Sequence, residues 1–297
     1  MVRSLTLTTL RDGGLDHVGI KTAAGIVDVS LAARGLGVTD PPRTVEDVIA
    51  GRGAVAELPR IVASAPREAI RAATAVEFGP LVSNPSKIVC VGLNYRAHIA
   101  ETGGKTPPYP DLFNKFNTAL NRHNGTVRVS NLPLAQFDYE SELVAIVGTT
   151  ARNVAESEAL QHVFGYTTGN DFSARDAQLR VSQWMTGKTP DEFAPLGPWL
   201  VTADQIPDPQ TLQVQTFVND ETAPRQDMNT AQMIHSCAKI LSYTSQFITL
   251  EPGDVIFTGT PSGVILGYPK EKQVWLKPGD RIRTVISKLG ELRFTLV

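Results

Sequence analysis

Two glutamates two residues apart, Glu140 and Glu142, open the stretch DYESELVAIVG (Asp138–Gly148) and carry the strongest chemical signal in the chain. Side chains of an extended strand alternate faces, so both carboxylates share a face that Val144 and Ile146 continue, while Leu143, Ala145 and Val147 line the other. An uncharged run of this kind reads as buried on both sides. Two like charges at its head repel, and loss of water penalises ionising both. A bound hard cation removes the conflict, and oxygen ligands suit magnesium, manganese or calcium. A solvated strand end would serve two glutamates equally well without any ion.

Other candidates are weaker one at a time. His98 and Glu101 stand three apart in NYRAHIAET and share a helical face, where a carboxylate can orient an imidazole as a general base. A surface ion pair has the same spacing. Asp171 in GNDFSARDAQ lies just before a predicted helix, a common place for a capping acid as well as for a metal ligand. Arg175 and Gln178 follow at three-residue spacing on that helix, and Lys188 stands past its expected end, where a lysine complements the helix dipole. The loop TGTPSGV, with Thr260, offers hydroxyls and backbone amides to an anion.

These groups need elements to position them. Residues 3–30 read as short strands with a hairpin, 44–51 and 54–64 as short helices, and the proline-containing stretch GPLVSNPSK as a linker. A boundary near residue 80 therefore separates a small N-terminal α/β domain (1–80) from a second domain (81–297). Asp12, Asp16, His17 and Asp28 read as solvated polar groups around the hairpin. Lys87–Val91 is a buried strand, and Asn94 caps a helix that runs to Thr102 and ends at Gly103–Gly104. That glycine pair could hinge a segment closing over substrate. Leu112–Phe116 is a short strand, Glu156–Phe164 a helix, and Gly165–Thr168 a strand or turn. One helix spans SARDAQLRVSQWMTGK from a Ser173 cap to Gly187, and the apolar stripe through Met233, Ile240, Leu241 and Phe247 predicts another over 230–247, with His235 structural. Two PGD turns launch the final strands.

Composition excludes several classes. Of 297 residues, 42% are hydrophobic and 20% charged, as in ordinary globular proteins, and a net charge of −2 without basic runs argues against nucleic acid or an anionic membrane as partner. No apolar stretch reaches the roughly 18 residues of a membrane span. The N-terminal stretch lacks the apolar core of a secretory signal, since Arg11 and Asp12 interrupt it. Cys90 and Cys237 both sit in apolar contexts and read as buried free thiols, so a cytoplasmic location is expected.

In order along the chain, GLNYRAHIAE, the FNK of Phe113–Lys115, DYESEL, GNDFSARDAQ, GKTPDEFAPLGPW and TGTPSGV together resemble the fumarylacetoacetate hydrolase family. The match runs from about Lys87 to the C-terminus, and residues 1–80 resemble the extra N-terminal domain of many bacterial members. The resemblance implies an α+β, β-rich fold, a mixed β-roll with peripheral helices, and a homodimer. It implies one Mg2+ or Mn2+ (Ca2+ as a crystallisation substitute) on Glu140, Glu142 and Asp171. His98 is the implied base and Glu101 its orienter. Lys188 would face substrate, Arg175 and Gln178 would contact it or the ligands, and Thr260 would hold its carboxylate. The implied activity is C–C bond hydrolysis of a 2,4-dioxo acid through a pyruvate enolate, as in aromatic catabolism. A decarboxylase or isomerase of a 2-oxo or 2-hydroxymuconate-type diacid would use the same enolate, and a non-catalytic binder of dicarbonyl acids would need only the metal site. The segment LNRHNGTVRVSN departs from the family's usual glycine-proline turn, and Arg122 and His123 read as surface additions there.

Overall fold

In the computed structural model, which describes residues 2–297, the metal-strand candidate lies at the centre of an eleven-stranded mixed sheet. Ser141–Val147 is buried at every position and pairs antiparallel with Val163–Asn170 on one side and Val255–Phe257 on the other. Ile88–Gly92 then joins parallel to Val255–Phe257, and Asp111–Lys115 closes that edge. Among the remaining strands, Thr6–Asp12 pairs with Leu200–Thr202, and Leu15–Thr22, Gly25–Asp28 and Ile70–Arg71 extend the sheet outward. The N-terminal strands and the centre are thus one hydrogen-bonded sheet, which crosses the boundary expected near residue 80. A second sheet of five strands is built from Gln226–Asn229, Gln213–Val218, Arg281–Ile286, Gly290–Leu296 and Gly125–Val127. The α+β, sheet-rich architecture with peripheral helices is as expected.

The two faces of Ser141–Val147 enter different cores. Val144 and Ile146 pack with Leu7, Ile20, Val48 and Leu58 of the N-terminal layer. Leu143, Ala145 and Val147 pack with Cys237, Ile240 and Leu241 of the helix Cys237–Phe247. Both cysteines are buried and free. No helix among the described residues is long and apolar enough to cross a membrane.

Several local expectations are corrected. The helix expected over 173–188 is broken: Ser173–Ala174 is a strand, Arg175–Gln178 and Met185–Lys188 are single-turn helices, and Lys188 ends the second rather than following it. Gly187 packs so close to the Gln178 and Ala174 backbones that the chain must turn back on itself there, and tertiary packing overrides helix propensity. The 230–247 helix begins only at Cys237, capped by Ser236; Thr230–Gln232 is a separate 3₁₀ turn. The helix over 156–164 ends at Ala159, and a 3₁₀ turn leads into the strand Val163–Asn170. Asn94 does not cap the helix Arg96–Thr102. Its side chain instead ties the carbonyls of His235 and Thr258 and accepts from the His235 amide, bridging three segments. Gly103 ends that helix in the left-handed region, φ 70°, as expected.

The hairpin acids are also more than solvated polar groups. His17 lies 3.0 Å from Asp28 and 3.4 Å from Asp12, Asp28 caps the helix Val29–Gly35, and Arg71 grips Asp12 through both nitrogens. This is an ion-pair network tying the hairpin to Ile70–Arg71.

Candidate active site

Strand register brings the three acids together. Ser141 pairs with Asn170, so the residues just beyond that pair, Glu140 and Asp171, become neighbours, and the Asp171 amide donates to the Glu140 carbonyl at 2.8 Å. Glu142 projects on the same face as Glu140. Carboxylate oxygens of Glu140, Glu142 and Asp171 all lie within 4.8 Å of one another, and all three residues are buried. Asn170, beside them, holds the Glu140 amide through its side-chain oxygen.

Buried cations surround the cluster. Lys188 Nζ lies 2.5 Å from Glu140 Oε2 and 2.7 Å from Asp171 Oδ2. Arg175 donates to Glu140 Oε1 at 2.6 Å, to Asp138 Oδ2 at 2.9 Å and to Gln178 Oε1 at 2.9 Å. Asp138 is itself fixed by the amides of Ile265 and Leu266. Sequence reasoning singled out neither Asp138 nor Lys115 as a site residue. Lys115 Nζ reaches Asp171 Oδ1 at 2.6 Å and donates to the carbonyls of Phe172, Phe193 and Lys188. The FNK motif was the available signal for it.

The electrostatics differ sharply within the cluster. Burial would raise the Glu140 carboxyl, but Lys188 and Arg175 outweigh it and hold the group well below the usual carboxylate range. Glu142 has no such partner. Burial, reinforced by repulsion from Asp171 and Glu140, pushes it well above the usual range despite a 2.6 Å bond from the Gly259 amide. Burial also opposes the charge on Lys188, yet Asp171 and Glu140 outweigh it and raise its value. Three converging carboxylates, one of them with no cation in contact, and an all-oxygen donor set are what a hard divalent cation fits.

The dyad forms as well. His98 Nδ1 lies 2.8 Å from Glu101 Oε1, and Glu101 Oε2 accepts the Gly263 amide at 2.8 Å, so the TGTPSGV loop pins the orienter rather than a free anion. Thr260 is engaged too. It donates to the Ser141 carbonyl and accepts from Gln226, another residue the motifs did not single out. His98, Glu101, Glu140, Glu142, Arg175, Gln178, Lys188 and Thr260 line one cavity of about 300 Å³, and Asp171 completes the acid cluster beside the two glutamates. A larger groove of about 600 Å³ runs along the edge strand Asp111–Lys115, but no carboxylate or imidazole lines it. Arg122 and His123 line neither. Arg122 pairs with Glu77, and His123 packs edge-on against Phe78 at 5.2 Å, where burial lowers its pKa to about 4.

The chain matches known proteins over the same region. The family described as fumarylacetoacetate (FAA) hydrolase, C-terminal, matches residues 87–297. A 2,4-didehydro-3-deoxy-L-rhamnonate hydrolase from Sphingomonas sp. (strain SKA58) is 41% identical over 91% of this chain and 90% of its own. The human mitochondrial oxaloacetate tautomerase FAHD2A is 36% identical over 92% of this chain and 85% of its own. Among solved structures, the fumarylacetoacetate hydrolase of Exiguobacterium antarcticum superposes with a TM-score of 0.82 at 32% identity, covering 99% of both chains. The fumarylpyruvate hydrolase of Pseudomonas aeruginosa, in complex with Mn2+ and pyruvate, gives 0.64 at 34% identity, over 71% of this chain and 89% of that one. With its acid cluster and dyad facing one cavity, this chain belongs to the fumarylacetoacetate hydrolase family of enzymes.

Proposed function

We propose that this protein is a divalent-metal-dependent hydrolase that cleaves the C3–C4 bond of a 2,4-dioxo acid, releasing a carboxylic acid and a 2-oxo acid. The observation that carries the reading is one cavity lined by both Glu140/Glu142 and the hydrogen-bonded pair His98–Glu101, with Asp171 beside the glutamates. A Mg2+ or Mn2+ ion held by Glu140, Glu142 and Asp171 would polarise the 2-oxo acid and take up the charge of its enolate. The chain's own residues supply the rest. With Nδ1 donating to Glu101, His98 keeps Nε2 free to take a proton from water as its oxygen attacks C4. Lys188 opposes the negative charge that develops on the C4 oxygen. As the C3–C4 bond breaks, its electron pair forms the enolate, and the imidazolium of His98 returns the proton to C3. Gln178 contacts the bound acid through its amide N–H groups, and Thr260, whose hydroxyl hydrogen goes to the Ser141 carbonyl, lines the wall beside it. The Mn2+ and pyruvate held together by the Pseudomonas aeruginosa fumarylpyruvate hydrolase fit such a product state.

An isomerase or decarboxylase would pass through the same enolate, and the likeness to an oxaloacetate tautomerase favours this as the second reading. Homodimer assembly and a cytoplasmic location belong to the same proposal. The test is turnover of acetylpyruvate and oxaloacetate with Mg2+ or Mn2+, with product analysis, in wild type and His98→Ala. Pyruvate and acetate should form from acetylpyruvate, and the variant should be slower by about 10²–10⁴-fold. Equal rates would remove His98 as the base, and tautomerisation of oxaloacetate without any cleavage of acetylpyruvate would install the second reading.

A further inference from the structure

We infer that the cavity selects a 2-oxo acid with one carboxylate and an uncharged, largely apolar tail over the corresponding diacid. This rests on the functional reading above and narrows its substrate class.

The charges come first. Four buried carboxylates, on Asp138, Glu140, Glu142 and Asp171, face three buried cations, on Lys115, Arg175 and Lys188. Acid exceeds base by one, and a divalent cation reverses this to one positive charge in excess. A single substrate carboxylate cancels that excess, and a second would remain uncompensated. With His98 protonated the His98–Glu101 pair is neutral and this count stands; with His98 neutral the pair adds one negative charge, and a second substrate carboxylate is opposed further still. Among the described residues lining the cavity, the only lysine or arginine side chains are Arg175 and Lys188. Each already lies within 3 Å of two carboxylates, so the charge of each is already matched, although the buried Arg175 Nη2 has no hydrogen-bond partner.

The wall is the second observation. Beyond the titratable groups it is formed largely by Leu93, Leu179, Trp184 and Leu266. Trp184 is set edge-on against Phe113, centroids 5.4 Å apart, and its ring lies where a side chain at Gly92 would stand. Leu179 is 57% exposed, and Val181 on the same connecting segment and Met185 at the start of the next helical turn are exposed as well. An apolar tail would remove Leu179 from water; a carboxylate would lose its own hydration there without a partner. Gln178 adds one neutral polar contact: Arg175 holds its oxygen, which leaves its amide N–H groups to donate to an uncharged oxygen of the ligand.

Two ligands of equal chain length isolate the distal group. Binding of 2-oxohexanoate and 2-oxoadipate to the Mn2+-loaded protein is measured by calorimetry, with pyruvate as reference. The monoacid should bind at least about tenfold more tightly than the diacid, and Leu179→Arg should bring the two within about threefold by supplying the missing cation. Acylpyruvates with alkyl tails should show the same order in kcat/KM against acylpyruvates whose tail ends in a carboxylate. Equal or tighter binding of 2-oxoadipate by wild type overturns the selectivity while leaving the metal-dependent site intact. Silence of all three ligands, pyruvate included, overturns the functional reading itself and this inference with it.

Discussion

Gly267 is a residue whose lack of a side chain matters to the proposed chemistry. A Cβ built there would lie 2.6 Å from Glu101 Cγ and Oε2, and closer still to Cδ. Ordinary contact needs roughly 3.5 Å, so Gly267→Ala must push the carboxylate away by about 1 Å. Glu101 is a flexible side chain, so the move itself is cheap, at about 0.5–1.5 kcal/mol of rotamer strain. Its consequence is larger. The 2.8 Å bonds to His98 Nδ1 and from the Gly263 amide both pass out of hydrogen-bonding range. A base misplaced by about 1 Å loses on the order of 10²-fold in rate, or about 2.7 kcal/mol of barrier. Each of these two bonds to a carboxylate contributes about 1.5–3 kcal/mol, but Glu101 lines the cavity and regains water when displaced, so the variant should stay folded. The assay is kcat for acetylpyruvate in Gly267→Ala, Glu101→Ala and the double variant, with thermal unfolding recorded alongside. The alanine at 267 should cost about 10²-fold in the wild-type background and almost nothing once Glu101 is absent. A full loss in both backgrounds, or none in either, would refute the steric route through Glu101.

Three further outcomes follow from the same geometry. Mn2+ at about 100 times its Kd should raise unfolding free energy by about 2.7 kcal/mol, and Glu142→Gln should abolish most of that gain; an undiminished gain would mean the ion sits elsewhere. Lys115→Met strands the buried Asp171 carboxylate and three carbonyls, and should cost about 3–5 kcal/mol in chelator-treated protein; a loss below about 1 kcal/mol would show that Lys188 alone satisfies Asp171. His17 is held above its ordinary value of 6.5 by its bond to Asp28, with Asp12 adding and Arg71 opposing. A raised folded-state value stabilises fully below pH 6.5 and is lost as pH rises through it, so wild type should exceed His17→Asn by about 0.5–1 kcal/mol near pH 5.5 and by less near pH 8.5 in denaturant melts. A difference that grows with pH would contradict that sign.

Much of the site is legible along the chain because its elements are local. Alternation in DYESELVAIVG puts Glu140 and Glu142 on one face, and three-residue spacing puts Glu101 beside His98; both relations need only a strand and a helical turn. Gly103 ends its helix for an equally local reason, since only a left-handed residue fits there. The broken helices at 173–188 and 230–247 show the limit of such reading. A Ser173 cap and a Gly187 stop suit a helix in the first and apolar spacing suits one in the second, but packing against distant strands decides where the chain turns.

What the residue order determined by itself was periodicity, capping and the motif set of a family, all set by neighbours a few positions apart. What only the tertiary structure decided was which distant groups meet. Lys115 reaches Asp171 because strand Asp111–Lys115 lies beside Ile88–Gly92, Asp138 is fixed by amides from 265 and 266, and Gly267 leaves room for Glu101. The charge excess, the lack of a cation in contact with Glu142 and the apolar wall around Trp184 are sums over these long-range contacts. Coulomb forces and desolvation act through space, and space is assigned by strand register rather than by position along the chain.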